Sequence, residues 1–114
     1  MAFEVTGAIG DHYNEAGGAS SPLGEPTSAE QDAPNGGKFQ EFTGGVIYFT
    51  LPTGAKTVYG AIRQAWEADG GAGGRLGYPT SDEQDIEGGK ISHFENGSIS
   101  YSIADDAVAV TVNA

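Results

Sequence analysis

The chain contains no cysteine, which removes a disulfide framework, thiolate metal sites and thiol nucleophiles together. Basic residues are nearly as scarce. Five Lys and Arg stand against sixteen Asp and Glu, a formal net charge of −11. Nucleic acid and anionic membranes are polyanions and make poor partners for such a surface, whereas neutral polymers, cations and basic proteins stay open. No apolar run approaches the roughly 20 residues needed to cross a bilayer, so membrane insertion is not expected. The opening Met1-Ala2-Phe3-Glu4-Val5 has neither the basic region nor the apolar stretch of a signal peptide, which predicts a mature domain or another export route. Catalytic signatures are missing as well. There is no Gly-x-Ser-x-Gly elbow, no His-Glu-x-x-His and no phosphate-cradling Gly-x-x-x-x-Gly-Lys-Ser/Thr. The glycine-rich residues 70–77 follow an expected helix and not a strand, so a dinucleotide reading fails. No enzyme, cofactor or metal is expected.

What the chain has is repetition. Leu76-Gly77-Tyr78-Pro79-Thr80-Ser81-Asp82-Glu83-Gln84-Asp85 answers Leu23-Gly24-Glu25-Pro26-Thr27-Ser28-Ala29-Glu30-Gln31-Asp32, with eight of ten positions identical. Internal repeats decide architecture, so the match takes precedence over every other signal. Upstream, Gly7-Ala8-Ile9 answers Gly60-Ala61-Ile62, Tyr13 answers Trp66, and Gly17-Gly18-Ala19 answers Gly70-Gly71-Ala72. The register slips by one at Pro34-Asn35. It resumes with Phe42 against Phe94, Gly45 against Gly97 and Ile47 against Ile99. The lead-in Ala2-x-x-Val5 recurs as Ala55-x-x-Val58 and again as Ala107-x-x-Val110. The expected organisation is a single domain, 1–114, with repeat one at 2–54, repeat two at 55–106 and a partial third lead-in at 107–114.

Each unit has its own local signals. Residues 2–6 alternate apolar and polar, which predicts a short strand or an extended lead-in. Ile9, Tyr13 and Ala16 share one helical face in 8–16, and Gly17-Gly18 supplies the stop; Ile62 and Trp66 repeat that face before Gly70-Gly71. In the Leu-Gly-x-Pro-Thr motif, the leucine is a buried anchor and the glycine permits a close or left-handed backbone. The proline fixes its own φ. Leu23, Gly24, Pro26 and Thr27, with Leu76, Gly77, Pro79 and Thr80, are therefore structural residues. Thr27 with Glu30, and Thr80 with Glu83, have capping-box spacing, which predicts one turn of helix after each proline. Hairpins follow around Thr43-Gly44-Gly45 and Glu95-Asn96-Gly97. A last strand is expected at 108–112, free to pair with the strand at 2–6 within the chain or across a dimer. The fold class is α+β: two tandem strand–helix–loop–β-hairpin repeats with pseudo-twofold symmetry, and a core of Ile9, Leu23, Phe42, Ile47, Ile62, Trp66, Leu76, Phe94 and Ile99. Two units are fewer than repeat architectures usually need, which predicts a homo-oligomer or docking on a larger protein assembly.

The motif, the preceding Gly-Gly and the hairpins Phe42-Thr43-Gly44-Gly45-Val46-Ile47-Tyr48 and Phe94-Glu95-Asn96-Gly97-Ser98-Ile99-Ser100-Tyr101 resemble the LGFP repeat family. Tyr78 is the nearer match to that family's aromatic preference, and Glu25 departs from it. The resemblance covers nearly the whole chain. It implies propeller-like blade units and an add-on module of actinobacterial envelope enzymes such as mycolyltransferases, esterases and peptidoglycan hydrolases. It also implies attachment to cell-wall polysaccharide of the arabinogalactan type, and a place at the cell envelope or extracellular surface.

Carbohydrate recognition needs an aromatic face for a sugar's C–H surface, with amides or carboxylates nearby for its hydroxyls. Tyr78 is the foremost surface candidate because it occupies the variable position of a fixed loop, with Asp82 and Glu83 close by. Tyr48 and Tyr101 complete the expected glycan-binding set, whereas Tyr13 and Trp66 belong to the core. His12 and His93 fall at non-equivalent repeat positions, and a surface or structural role is expected for each. The Glu-Gln-Asp segments at 30–32 and 83–85 have the oxygen chemistry of a weak cation site. A solvated turn explains them more simply. The leading expectation is a non-catalytic glycan-binding module. The alternative is a structural or accessory subunit, such as a decoration or tail protein of an actinobacterial phage virion.

Overall fold

The computed structural model describes residues 3–113 and has two helices and two open antiparallel sheets of four strands each. Helix α1 (Gly7–Glu15) leads into the first motif loop. Strands β1 (Gln31–Asp32), β2 (Lys38–Phe42), β3 (Gly45–Thr50) and β4 (Gly54–Val58) then form the first sheet in that order. Helix α2 (Gly60–Ala68), the second motif loop and strands β5 (Gln84–Ile86), β6 (Gly89–Phe94), β7 (Gly97–Ser102) and β8 (Ala107–Val112) follow the same plan. The α+β class holds. Neither sheet closes on itself.

The helices end as the glycines predict. Gly17 and Gly70 sit at φ 113° and 105°, left-handed conformations that glycine enters without steric cost and that stop the helix. The expected helical turn after each proline is absent, a correction to the capping-box reading. Pro26 bridges Phe42 and Pro79 bridges Phe94, so the neighbouring strand claims this backbone instead. The Thr27 N–H donates to the Glu41 carbonyl (2.9 Å) and the Thr80 N–H to the His93 carbonyl (2.8 Å). The motif glycines Gly24 and Gly77 have φ of 73° and 79°. Their carbonyls receive the Tyr13 hydroxyl (2.7 Å) and the Trp66 indole N–H (3.0 Å), so each helix holds its own motif loop by one polar tip.

The lead-in strands behave differently from expectation. Segment 55–58 belongs to β4 and completes the sheet of the preceding repeat, with Val46 opposite Val58. Segment 107–112 does the same for the second sheet, with Ile99 opposite Val110. The within-chain pairing of β8 with the lead-in is thus corrected: its partner in the chain is β7, and residues 3–6 belong to neither sheet. Ala2, the first residue of that expected strand, lies outside the described residues.

All nine expected core residues are buried. Ile9, Tyr13, Leu23, Phe42 and Ile47 form one cluster, between α1 and one face of the first sheet. The other cluster joins Val46 and Val58, from the opposite face of that sheet, to Ile62 and Trp66 of α2 and to Phe94 and Ile99 of the second sheet. The first sheet is therefore packed on both faces, and α2 lies between the two sheets.

Candidate functional site

The glycan candidates divide sharply. Tyr78 is only 3% exposed, so its expected surface position is corrected. Its hydroxyl donates to the Pro34 carbonyl in the 3-10 turn Pro34–Gly36, which contains the one-residue slip between the repeats. Burial raises its phenol pKa. Tyr48 is half-buried and wedged at the same junction, stacked on Phe39 at 5.1 Å and edge-on to Trp66 at 4.9 Å. Burial, helped by the Glu41 and Glu67 carboxylates, pushes its pKa up to about 12. The Tyr78 ring is enclosed by packing, and Tyr48 has one face covered by Phe39.

Asp82, Glu83 and Tyr101 do reach the surface together, beside residues the sequence reading passed over. A hollow of about 310 Å³ lies between α1, the first motif loop, the end of β4 and the segment after the second motif. His12, Glu15, Leu23, Thr57, Tyr59, Asp82 and Glu83 are among its walls. A second hollow, of about 260 Å³, is lined by Tyr59, Ile62, Glu83, Lys90 and Tyr101 among others. Tyr59 and Glu83 belong to both, so the two hollows share a wall. Tyr59 is half-buried at the entry to α2. Burial first, then the Glu83 carboxylate, raises its pKa, which keeps the phenol protonated as a donor. Tyr101 donates its hydroxyl to Asp106 (2.7 Å).

Asp82 is the electrostatic centre of the first hollow. One oxygen, Oδ1, accepts from the Thr57 backbone N–H (2.8 Å) and lies 2.9 Å from His12 Nε2. That His12 nitrogen is also 3.0 Å from Thr57 Oγ1. Burial pushes the Asp82 carboxyl up, but hydrogen bonds from His12 and Thr57 outweigh it and hold the group below the usual carboxylate range. The lowered pKa keeps Asp82 ionised at neutral pH, as an acceptor of these hydrogen bonds. His12, expected at the surface or in a structural role, is largely buried and held between Asp82 and Thr57. His93 is exposed.

Elsewhere the segment carboxylates pair locally. Asp32 meets Lys38 and Asp85 meets Lys90, and no cluster of three or more His, Asp or Glu able to hold a metal occurs among the described residues. The motif residues sit as anchors: Leu23, Leu76, Gly77 and Pro79 are buried, Gly24 and Pro26 half-buried, Thr27 and Thr80 exposed.

Sequence comparison agrees with this architecture. The profile of the LGFP repeat matches residues 23–74 and again 76–114. Each match opens at a motif leucine, Leu23 or Leu76; the first runs through a sheet and the helix after it. No curated protein matches the chain. LGFP repeats are non-catalytic and associated with cell-surface proteins. No helix among the described residues is long and apolar enough to cross a membrane.

Proposed function

The chain belongs to the LGFP repeat family, and from that premise we propose that it is a non-catalytic module binding a neutral cell-wall polysaccharide of the arabinogalactan type. The observation that carries the reading is the pair of adjoining hollows at the junction of the two units. Tyr59 and Tyr101 offer aromatic surface there, while Asp82, Glu83 and Glu15 offer acceptors for hydroxyls. Tyrosine suits this task because its ring is apolar and its tip polar. A net charge of −11 favours a neutral glycan over a polyanionic one. In this reading the units are propeller-like blades, and the module resides at the cell envelope without supplying chemistry of its own.

Retention on purified arabinogalactan tests it. Wild type should be retained with little dependence on salt. Tyr59→Ala and Tyr101→Ala, with unchanged circular dichroism, should each weaken retention about tenfold, equivalent to ~1.4 kcal/mol. Absence of retention at every salt concentration would end the glycan reading. The second reading, a structural subunit of a larger assembly such as a virion or an envelope enzyme, is favoured by one observation: the long outer edge of β8.

A further inference from the structure

The sheet edges of this molecule are not alike. β1 and β5 are two and three residues long, and each is flanked by a Lys–Asp ion pair. Short strands and charges are the usual protection of an edge against unwanted pairing. β4, the outer strand of the first sheet, carries Lys56, and its outward Thr57 N–H is taken by Asp82. β8 has no such protection. It runs six residues, Ala107-Val108-Ala109-Val110-Thr111-Val112, without a charge, a proline or a glycine.

The direction of its free backbone groups follows from its pairing. The Asn113 N–H donates to the Asn96 carbonyl (2.7 Å), so the odd-numbered residues turn their hydrogen-bonding groups toward β7. Alternation then turns those of Val108, Val110 and Val112 outward. Val110 occupies the place that Thr57 holds in the first sheet, since Thr57 faces Ile47 and Val110 faces Ile99, the repeat equivalent. Thr57 has the Asp82 carboxylate on its outward N–H. Val110 has no such side chain. Val108 and Val110 are also 40% and 38% exposed, large for valines in a strand.

We propose that β8 is a self-association edge, and that its partner is β8 of a second copy running antiparallel. Centring the twofold on Val110 places Val110 opposite Val110 and Val108 opposite Val112 of the second copy. Such pairs exchange both backbone bonds, and all the outward groups are used. The same register sets valine against valine on the face toward α2, and Ala107 meets Asn113. Asp105 and Asp106 fall beyond the seam, so no carboxylate is forced opposite another. A second copy suits this edge because an uncharged strand of alternating valines complements itself.

A seam of six residues is roughly 20 Å long. It buries less than the roughly 1,200–2,000 Å² of a stable interface, so the dimer is weak and concentration-dependent. Two chains of net charge −11 repel each other, and salt should strengthen pairing by screening that repulsion.

The test is sedimentation velocity of the 114-residue chain from about 10 µM to about 1 mM, at about 50 mM and about 500 mM salt. The weight-average mass should climb toward two chains and no further, and should climb earlier at high salt. Val110→Pro removes the outward N–H while sparing the β7 ladder, and Val110→Lys places a charge at the seam. Both should sediment as one chain with wild-type circular dichroism. If the proline variant fails to fold, the lysine variant decides. A single-chain mass across the whole series, masses beyond two chains, or a dimer that survives both substitutions would overturn the proposal.

Discussion

The two units solve one problem differently. In the first, the loop after the motif is tied to the chain's lead-in by Gln40, fully buried, whose amide donates to the Glu4 carbonyl (3.0 Å) and the Ser28 carbonyl (2.9 Å). In the second, the equivalent residue is Ser92, buried but too short to span; its hydroxyl, like the Gln40 Oε1, has no partner among the described residues. There Asp82 makes the tie from the other side, reaching from the loop to the Thr57 N–H and gathering His12. Asp82 and His12 stand where the other repeat has Ala29 and Ala65. The lesson concerns divergence within a repeat. Here two residues that differ between the units, Asp82 and His12, serve the junction.

Tyr78 extends the point. It answers Glu25, which is exposed, whereas Tyr78 lands on the 3-10 turn that carries the first unit's extra residue. The outer faces of the sheets differ in the same way. Phe39, Val46, Tyr48 and Val58 on the first are met by α2 and its surroundings, while Ile91, Ser98, Ser100 and Thr111 stand at the corresponding register in the second. Serine in place of valine and tyrosine suits a face turned to water.

The sharpest break of this comparison is Trp66→Ala. Trp66 is stacked on Phe94 and edge-on to Tyr48, so it touches both sheets. Its loss should cost about 3–5 kcal/mol in urea denaturation. Tyr13→Ala, stacked on Phe42 in one unit alone, should cost at least ~1 kcal/mol less; equal losses would deny α2 its bridging role. Tyr78→Phe removes only the hydroxyl bond to Pro34 and should cost about 1 kcal/mol by the same measurement. No loss would mean that the tyrosine is held by packing alone. Asp82→Ala should cost about 1 kcal/mol at neutral pH, limited because the carboxylate is half exposed.

The pH dependence of that last effect has a definite sign. The folded pKa of Asp82 is depressed, so its contribution is fully present above the unfolded value of about 3.9 and disappears as pH falls through the folded value. Wild type and Asp82→Ala should therefore converge in stability in acid. A constant difference down to about pH 2 would remove the carboxylate from the account. Ser92→Gln, the smallest effect, imports the first unit's solution into the second. It should gain up to ~1 kcal/mol by giving the site a side chain long enough to bond the loop. A loss instead would show that Asp82 already fills the space.

Much of the fold was legible because its signals are local. Helical spacing located Ile9, Tyr13, Ile62 and Trp66, and the turns around Gly44 and Asn96 placed the hairpins. What escaped notice was non-local. The spacing of Thr80 and Glu83 is that of a cap, but Phe94 in a distant strand takes the backbone. Variability at Tyr78 suggested a surface, yet its burial depends on a turn 44 residues away. The site was half visible: Asp82, Glu83 and Tyr101 were named, while Tyr59 was missed. Its signal was present, since Tyr59 stands where the first repeat has Thr6, another departure at the junction.

One feature of the chain path governs how the molecule comes apart. β4 is the fourth strand of the first sheet, and only Tyr59 separates it from α2, which packs under the second. A cut made at the start of the second sequence repeat would strip the first sheet of its outer strand. Stretched from its ends, the chain passes load from one sheet to the other through a single residue, and the two units should give way together as one rupture.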